Sequence, residues 1–287
     1  MTYAATASFG ALSCVGITSS ALESYPITEI DGHEMVGIPG GPTVIGSGEF
    51  ENNPARWVQL SPYTIGKTAV SESEYREVMG RAGNTDAPAD HPVTLVSWND
   101  AQEYLKKRGG SLGLATEAEW ENARRGPAVN MREAMEAEGV APADFAEMAG
   151  SYESFVFGVN GQIFTDPRDE SFRHLVKQGL PFFGWRRILS GCLIDQYGTA
   201  PMPVNWGPKG PYGTYGMTYG VLEWVKDLCL PGGPYTSGTH PYGVLRGVSW
   251  CDDIPVLLYG AYRYLGHTRH RYDGIGFRVS SPVLSER

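Results

Sequence analysis

No apolar run in this sequence approaches the ~18 residues that a membrane-spanning helix needs. There is no basic block either. With 23 Lys and Arg against 32 Asp and Glu, the net charge is −9. Binding driven by phosphate neutralisation is excluded as a main activity, and no nucleic-acid partner is expected. Cysteine is scarce. Cys14, Cys192, Cys229 and Cys251 are widely scattered and form no C-x-x-C pair. A structural zinc site is therefore not expected, and spacing alone assigns no disulfide. The most informative absence is local: from Cys251 to Gly274 there is no Lys, Glu, Gln, Met or Trp, although all five occur elsewhere.

What is abundant is turn-forming. The 37 Gly and 20 Pro make up about a fifth of the 287 residues, against roughly an eighth on average. That excess predicts short elements joined by irregular chain. Residues 1–34 carry no clear pattern and lack the basic start of a signal peptide. Ala11-Leu12-Ser13-Cys14 resembles a lipid-attachment sequence, which would be the chain's only route to membrane anchoring. Order is expected from Met35. Met35–Pro39 and Thr43–Gly46 flank Gly40-Gly41 and read as a hairpin, with two further strands at Trp57–Leu60 and Tyr63–Gly66.

Three helices announce themselves by paired caps: Ser71 with Glu74, Ser97 with Asp100, and Thr116 with Glu119. Each is followed by an apolar stripe and stopped by a glycine, at Gly80, Gly109 and Gly126. The composition changes over 127–200, which reads as an insertion with short helices at 130–138 and 143–148. Gly220–Asp227 then alternates enough for a central strand with a polar member. The domain organisation expected is a 1–34 leading segment and one domain over 35–282, with no internal repeat.

These segments, in this order, resemble the formylglycine-generating enzyme (sulfatase-modifying factor) family. The resemblance is carried by IPGGPTVIGS at Ile38–Ser47, LSPYTIGKTAVSESEY at Leu60–Tyr75 and HPVTLVSWNDAQEY at His91–Tyr104. It continues through LATEAEWENARRG at Leu114–Gly126, YGMTYGVLEWVKD at Tyr215–Asp227, RGVSW at Arg246–Trp250 and GIGFRVS at Gly274–Ser280. It implies an α+β, C-type-lectin-type fold, loop-rich, with a small central sheet and flanking helices. On that fold Trp98, Trp120 and Trp224 would be core, Glu119 a cap and Glu223 a buried hydrogen-bonding partner.

Catalytic members of the family oxidise a substrate cysteine to formylglycine with two cysteines placed three and eight residues after the Ser of the Gly-x-Ser motif. Counted from Ser249, those places hold Asp252 and Leu257, and Cys251 is the only cysteine nearby. One sulfur cannot make a soft-metal thiolate pair or a redox disulfide. No enzyme is therefore expected, a cysteine oxidase using Cys251 being the alternative. His267 and His270, even with Asp252, Asp253 or Cys251, match no zinc spacing. No metal and no cofactor are expected.

The third reading is ligand binding by a diversified surface over 246–279. Some proteins of this fold are the variable proteins of diversity-generating retroelements, in which error-prone copying randomises adenines and turns AAY codons into NNY. Those codons never encode Lys, Glu, Gln, Met or Trp, and every residue from Cys251 to Ile275 falls in the permitted set. The frame RG-x-SW, Ala261-Tyr262-Arg263 and Ile275–Arg278 also resembles theirs. The expected ligand contacts are Val248, Cys251, Asp252, Asp253, Tyr259, Tyr262, Tyr264, Leu265, Gly266, His267, His270, Tyr272, Asp273 and Gly274. Tyrosine suits such a surface because its ring covers much area with few rotors to freeze. The implied partner is a protein or glycoprotein met by a monomer at the cell surface or outside the cell, a cytoplasmic location being the alternative. Replacing Cys251 by Ser is expected to leave the thermal melt unchanged. Loss of a cysteine-oxidising activity on that change would instead restore the enzyme.

Overall fold

The three helices start where their capping boxes lie. In α1 (Glu72–Met79) the Ser71 hydroxyl accepts from Glu74 N, while the Glu74 carboxylate accepts from Ser71 N at 2.7 Å. The same reciprocal pair opens α2 (Trp98–Arg108) with Ser97 and Asp100, and α3 (Glu117–Arg125) with Thr116 and Glu119. Each box satisfies two amide donors that the first turn would otherwise leave without a partner. The computed structural model that shows this describes residues 25–46, 51–54, 56–126, 157–159, 162–164, 201–206, 209–217, 220–230, 240–250 and 261–283. Among them no helix is long and apolar enough to cross a membrane. The helices expected at 130–138 and 143–148 lie outside the described residues.

The strands, in chain order, begin with β1 (Ile27–Ile30), β2 (His33–Ile38), β3 (Gly41–Ile45), β4 (Arg56–Leu60) and β5 (Tyr63–Gly66). After α1 and α2 come β6 (Gly113–Leu114) and, beyond α3, the antiparallel pair β7 (Phe157–Val159) and β8 (Gln162–Phe164). β9 (Leu222–Cys229), β10 (Tyr242–Arg246), β11 (Tyr264–His267), β12 (Ile275–Phe277) and β13 (Val279–Pro282) follow. Among the described residues they form a five-stranded sheet β1-β2-β5-β13-β6, a four-stranded sheet β11-β10-β9-β12 and the pair β3-β4. The fold is mixed α+β, with few helices and several sheets.

Two sequence expectations need correction. Residues around Gly40-Gly41 do not form a hairpin: β2 pairs with β1 and β5, whereas β3 pairs with β4. The glycines mark a crossing between two sheets. The ordered framework also starts before Met35, because β1 and β2 pair antiparallel across Asp31-Gly32, whose φ angles are 48° and 77°. Two successive positive φ angles suit a tight hairpin turn, and Asp-Gly is a residue pair that favours it.

β9 lies at the centre of the core. Leu222 and Trp224 enter one apolar cluster with Tyr75, Tyr104 and Phe277, while Val225 joins a second with Tyr63, Ile65 and Trp120. Burial on both faces makes its first half a continuous buried run, as expected of a covered central strand. Trp120 and Trp224 are core, as the resemblance implies; Trp98 is half-buried and donates its indole N–H to Val225 O at 2.9 Å.

The indole of Trp224 lies against two glycines. A Cβ on Gly243 would sit 2.8 Å from Trp224 Cζ3, and one on Gly266 would sit 2.7 Å from Cη2 and 3.0 Å from Leu245 Cδ1. Gly266→Ala is expected to cost about 1–3 kcal/mol through overpacking. An unchanged urea midpoint would show that the indole has room to move.

Candidate ligand-binding surface

The stretch 246–279 is fastened to the fold at both ends and in the middle, each time by an arginine meeting a buried carboxylate. At its start, the fully buried Arg246 donates from Nη2 to Glu121 Oε2 at 2.6 Å. Its Nη1 reaches Glu117 Oε1 at 3.3 Å and the carbonyls of Ala261 and Tyr262 at 3.0 and 2.9 Å. Arg263 clasps the same Glu117, from Nε at 2.6 Å and also from Nη2, and donates to Asn52 O. Asn53 completes the net by donating to Ala261 O at 2.8 Å. Both acids come from α3, where 117 and 121 are one turn apart on the buried face.

Burial alone would raise the pKa of Glu117. The hydrogen bond from Arg263 and the charges of Arg246 and Arg263 outweigh it, and the carboxyl lies below its ordinary value. Removing one member of such a net strands a buried charge, which typically costs about 3–5 kcal/mol.

The far end is held by Arg278. Its Nε and Nη2 meet the two oxygens of Glu223 at 3.0 and 2.8 Å, and Nη1 donates to Gly66 O at 2.7 Å. Glu223 also accepts the Trp120 indole N–H at 2.6 Å. The resemblance's assignment of Glu223 as a buried hydrogen-bonding partner agrees with this.

Between these ends, the 268–273 turn rests on the start of α2. Asn99 N donates to Thr268 O and Leu95 N to Tyr272 O. Arg271 grips Asp100 from Nε and Nη2 at 2.7 and 2.8 Å, and Arg81 donates to the same carboxylate. Burial would raise Asp100, but the hydrogen bonds and charge of Arg271 and the Ser97 hydrogen bonds hold it well below the usual carboxylate range.

The structure divides the residues expected to contact ligand. Cys251, Asp252, Asp253 and Tyr259 lie outside the described residues. Val248 and Gly274 are buried and offer no surface. Gly266 is fixed by Trp224, as described above. Tyr264 and Leu265 are half-buried and pack on the two apolar clusters, because β11 runs along the core with both faces partly covered. Val248 and Gly274 thus belong to the scaffold, while Gly266, Tyr264 and Leu265 keep part of their surface. Tyr262 is half-buried and meets Tyr264 edge-on at 5.4 Å between ring centres.

His267 is half-buried at the end of β11, and His270, Tyr272 and Asp273 are exposed, Tyr272 to 51%. The first three form a ladder of rings with two residues the sequence reading missed. His240 stands 5.0 Å and Tyr242 5.9 Å from His267 between ring centres. His270 stacks on His267 at 4.7 Å and 24°, and the Tyr272 hydroxyl lies 3.0 Å from His270 Nδ1. His240 and Tyr242 precede Arg246, outside the expected region. They arrive only because β10 pairs with β11, putting Tyr242 opposite His267.

Among the described residues no three His, Cys, Asp or Glu side chains converge as metal ligands. Cys229 is a free, half-buried thiol whose pKa is pushed up by burial, against the pull of Arg263. It is therefore kept protonated and weakly nucleophilic.

The family model for the sulfatase-modifying factor enzyme 1-like domain matches residues 23–282. Two curated proteins similar to the chain are named Inactive C-alpha-formylglycine-generating enzyme 2. The one from Bos taurus is 27% identical over 220 residues, covering 74% of this chain and 57% of that protein. The one from Mus musculus is 27% identical over 218 residues, covering 74% and 56%. The chain thus spans little more than half of their length.

Among solved structures, PvdO from Pseudomonas aeruginosa superposes with a TM-score of 0.58 at 20% identity, over 91% of this chain and 99% of that one. Treponema denticola variable protein 1 gives 0.55 at 16%, over 90% and 98%. CarF gives 0.54 at 17%, over 88% and 100%. At these identities the likeness is one of fold.

A carboxyl depressed in the folded state stabilises above its unfolded pKa and loses that contribution as the pH falls below it. Asp100 is such a group. Asp100→Asn is therefore expected to lower stability at pH 7 and to flatten its decline between pH 5 and about pH 2, read from urea unfolding at each pH. Parallel profiles for the variant and the parent would remove Asp100 from this role.

Proposed function

The chain belongs to the sulfatase-modifying factor enzyme 1-like domain family, and from that premise we propose a non-catalytic member. On this reading a C-type-lectin-type scaffold presents its 246–279 surface to a protein or glycoprotein ligand, outside the cytoplasm, as the variable protein of a diversity-generating retroelement. The observation that carries it is the separation of roles within that stretch. Arg246, Arg263 and Arg278 make the buried ion pairs, and the side chains of His267, His270, Tyr272 and Asp273 stand outside them. Substitutions at exposed positions such as His270, Tyr272 and Asp273 usually change stability by less than about 0.5 kcal/mol. The surface is free to vary while the frame is not.

Three further facts support the reading. Asp252 and Leu257 occupy the places where catalytic members carry cysteines. The curated relatives bear the word inactive in their names, and one solved structure of the same fold is a variable protein. The exposed aromatic and imidazole rings also suit recognition of a broad partner surface better than chemistry in a closed pocket.

The test is a display library with NNY codons at 262, 267, 269, 270, 272 and 273, selected against a panel of purified glycoproteins. Most clones are expected to melt within a few degrees of the parent, and binders to distinct targets to emerge. Widespread unfolding, or an absence of binders among folded clones, would sink the reading. Conversion of a cysteine peptide to the aldehyde by the parent protein, with or without added Cu(I), would establish the cysteine oxidase in its place.

A further inference from the structure

The 268–273 turn leans on a shelf made by residues 93–100. A Cβ on Gly276 would lie 2.4 Å from Val93 O, so the chain just past the turn runs against the backbone of Val93. Leu95 donates its N–H to Tyr272 O at 3.1 Å from a φ of 57°, in the left-handed region that residues with a side chain rarely adopt. Such a conformation persists where its neighbours hold it. Asn99 N is one of the donors that the first turn of α2 leaves without a helical partner, and it donates to Thr268 O at 3.2 Å. Both contacts join backbone to backbone. They suit any sequence in the turn and favour none.

Arg271 is different, because its contact with the shelf is made by a side chain. Its Nε and Nη2 take the two oxygens of Asp100 at 2.7 and 2.8 Å, and Asp100 is only 4% exposed. A forked grip of this kind fixes the angle of the turn as well as its distance. The carboxylate does not depend on it. Arg81 donates to Asp100 Oδ1 at 2.8 Å, and Ser97 donates to Oδ2 from its hydroxyl at 2.5 Å and from its N–H at 2.9 Å. Removing Arg271 would therefore leave Asp100 paired and α2 capped, while releasing the turn.

We propose that Arg271 is the positioning residue that sets how rigid the display surface is, and through that its specificity. With arginine at 271 the turn is closed and presents His270, Tyr272 and Asp273 in one arrangement. With another residue there, it opens from Asp100 while the domain stays folded. A preformed surface gives up less conformational freedom on binding, so it binds tighter and discriminates more sharply than a mobile one. The specificity half rests on the display reading above. Closure of the turn does not, being a property of this chain with or without a ligand. Arginine is among the residues that NNY codons permit, so on that reading a single codon chooses between a rigid and a pliant surface.

Amide hydrogen exchange of the full chain, followed by NMR, tests the closure. The reference is the N–H of Lys226, which donates to Ala115 O at 2.8 Å on the central strand. In Arg271→Ser, the Leu95 and Asn99 amides are expected to exchange at least about tenfold faster relative to Lys226. Arg271→Lys, which keeps the charge but loses the fork, should fall between, and Arg81→Ala should leave the ratio at the parental value. Asp100→Asn should raise the ratio as Arg271→Ser does, and the double variant should add little, because the two act through one contact. Leu95 and Asn99 rates that stay parental in Arg271→Ser, or that rise only in step with Lys226, would overturn the proposal. An unfolded Arg271→Ser variant would overturn it as well, since Arg81 and Ser97 remain on Asp100. Specificity is read on a binder selected from the library above, which keeps Arg271. Asp100 is too buried to touch a ligand, yet Asp100→Asn is expected to weaken that binder's affinity for its own target at least about tenfold and to raise its binding to the rest of the panel. Unchanged affinity beside faster exchange would remove the specificity half. A library without binders would remove the display reading and the specificity with it, while the exchange rates still decide the closure.

Discussion

The pairing of Arg278 with Glu223 is the constraint on which the rest of this structure depends. Both side chains are 1% exposed, and two parallel hydrogen bonds match the fork of the guanidinium to the carboxylate. Glu223 belongs to the four-stranded sheet, whereas Arg278 also donates to a carbonyl of β5 in the five-stranded one. Arg278 sits where the chain leaves β12 for β13 and so passes from one sheet to the other. The ion pair therefore fixes the relative position of two sheets, and of Trp120, whose indole N–H Glu223 accepts. Arg246 does the corresponding work at the other end of the stretch, tying it to α3. Lysine would serve poorly at either place, because a single ammonium cannot span a carboxylate and several carbonyls at fixed angles.

With the frame held in this way, His270, Tyr272 and Asp273 can stand exposed between its ends. A catalytic site makes the opposite demand, since reacting groups must be positioned by packed neighbours and cannot wander. The turn that carries the exposed residues is held by backbone contacts to Leu95 and Asn99. That arrangement fixes where the loop is and leaves open what it carries. Arg271 is the exception, an exposed residue whose head is spent on Asp100.

What was legible in the sequence follows the range of the interactions involved. The helices could be read because a capping box is a bargain among residues three apart, as Ser71 with Glu74 shows. The sheets could not, because the pairing of β13 with β5 joins segments with most of the chain between them. β1 was missed although Asp31-Gly32 signalled its turn. Its residues are nearly all exposed, and a strand without a buried face has no alternation to detect. Within the candidate surface, the structure leaves His270, Tyr272 and Asp273 exposed and His267 half-buried. Tyr264, Leu265 and Gly266 are half-buried on β11, where a short strand over the core looks the same in sequence as a loop. His240 and Tyr242 were beyond reach, since only the register of β10 with β11 brings them to the ladder.

The place of β13 has a bearing on how the protein is made. It lies between β5 and β6, inside the first sheet, although it is the last strand in chain order among the described residues. The sheet begun by the earliest strands stays open along one edge of β5 until the ribosome has passed Pro282. Topologies closed by such distant pairings fold late, and their open edges attract chaperones and proteases in the meantime. A frameshift or stop codon anywhere in the preceding loop would delete this strand as well as garbling the surface. The product would fail to close its core and would be cleared. Only chains read correctly through 246–279 complete the fold, so the architecture acts as a proofreader for the segment it encloses.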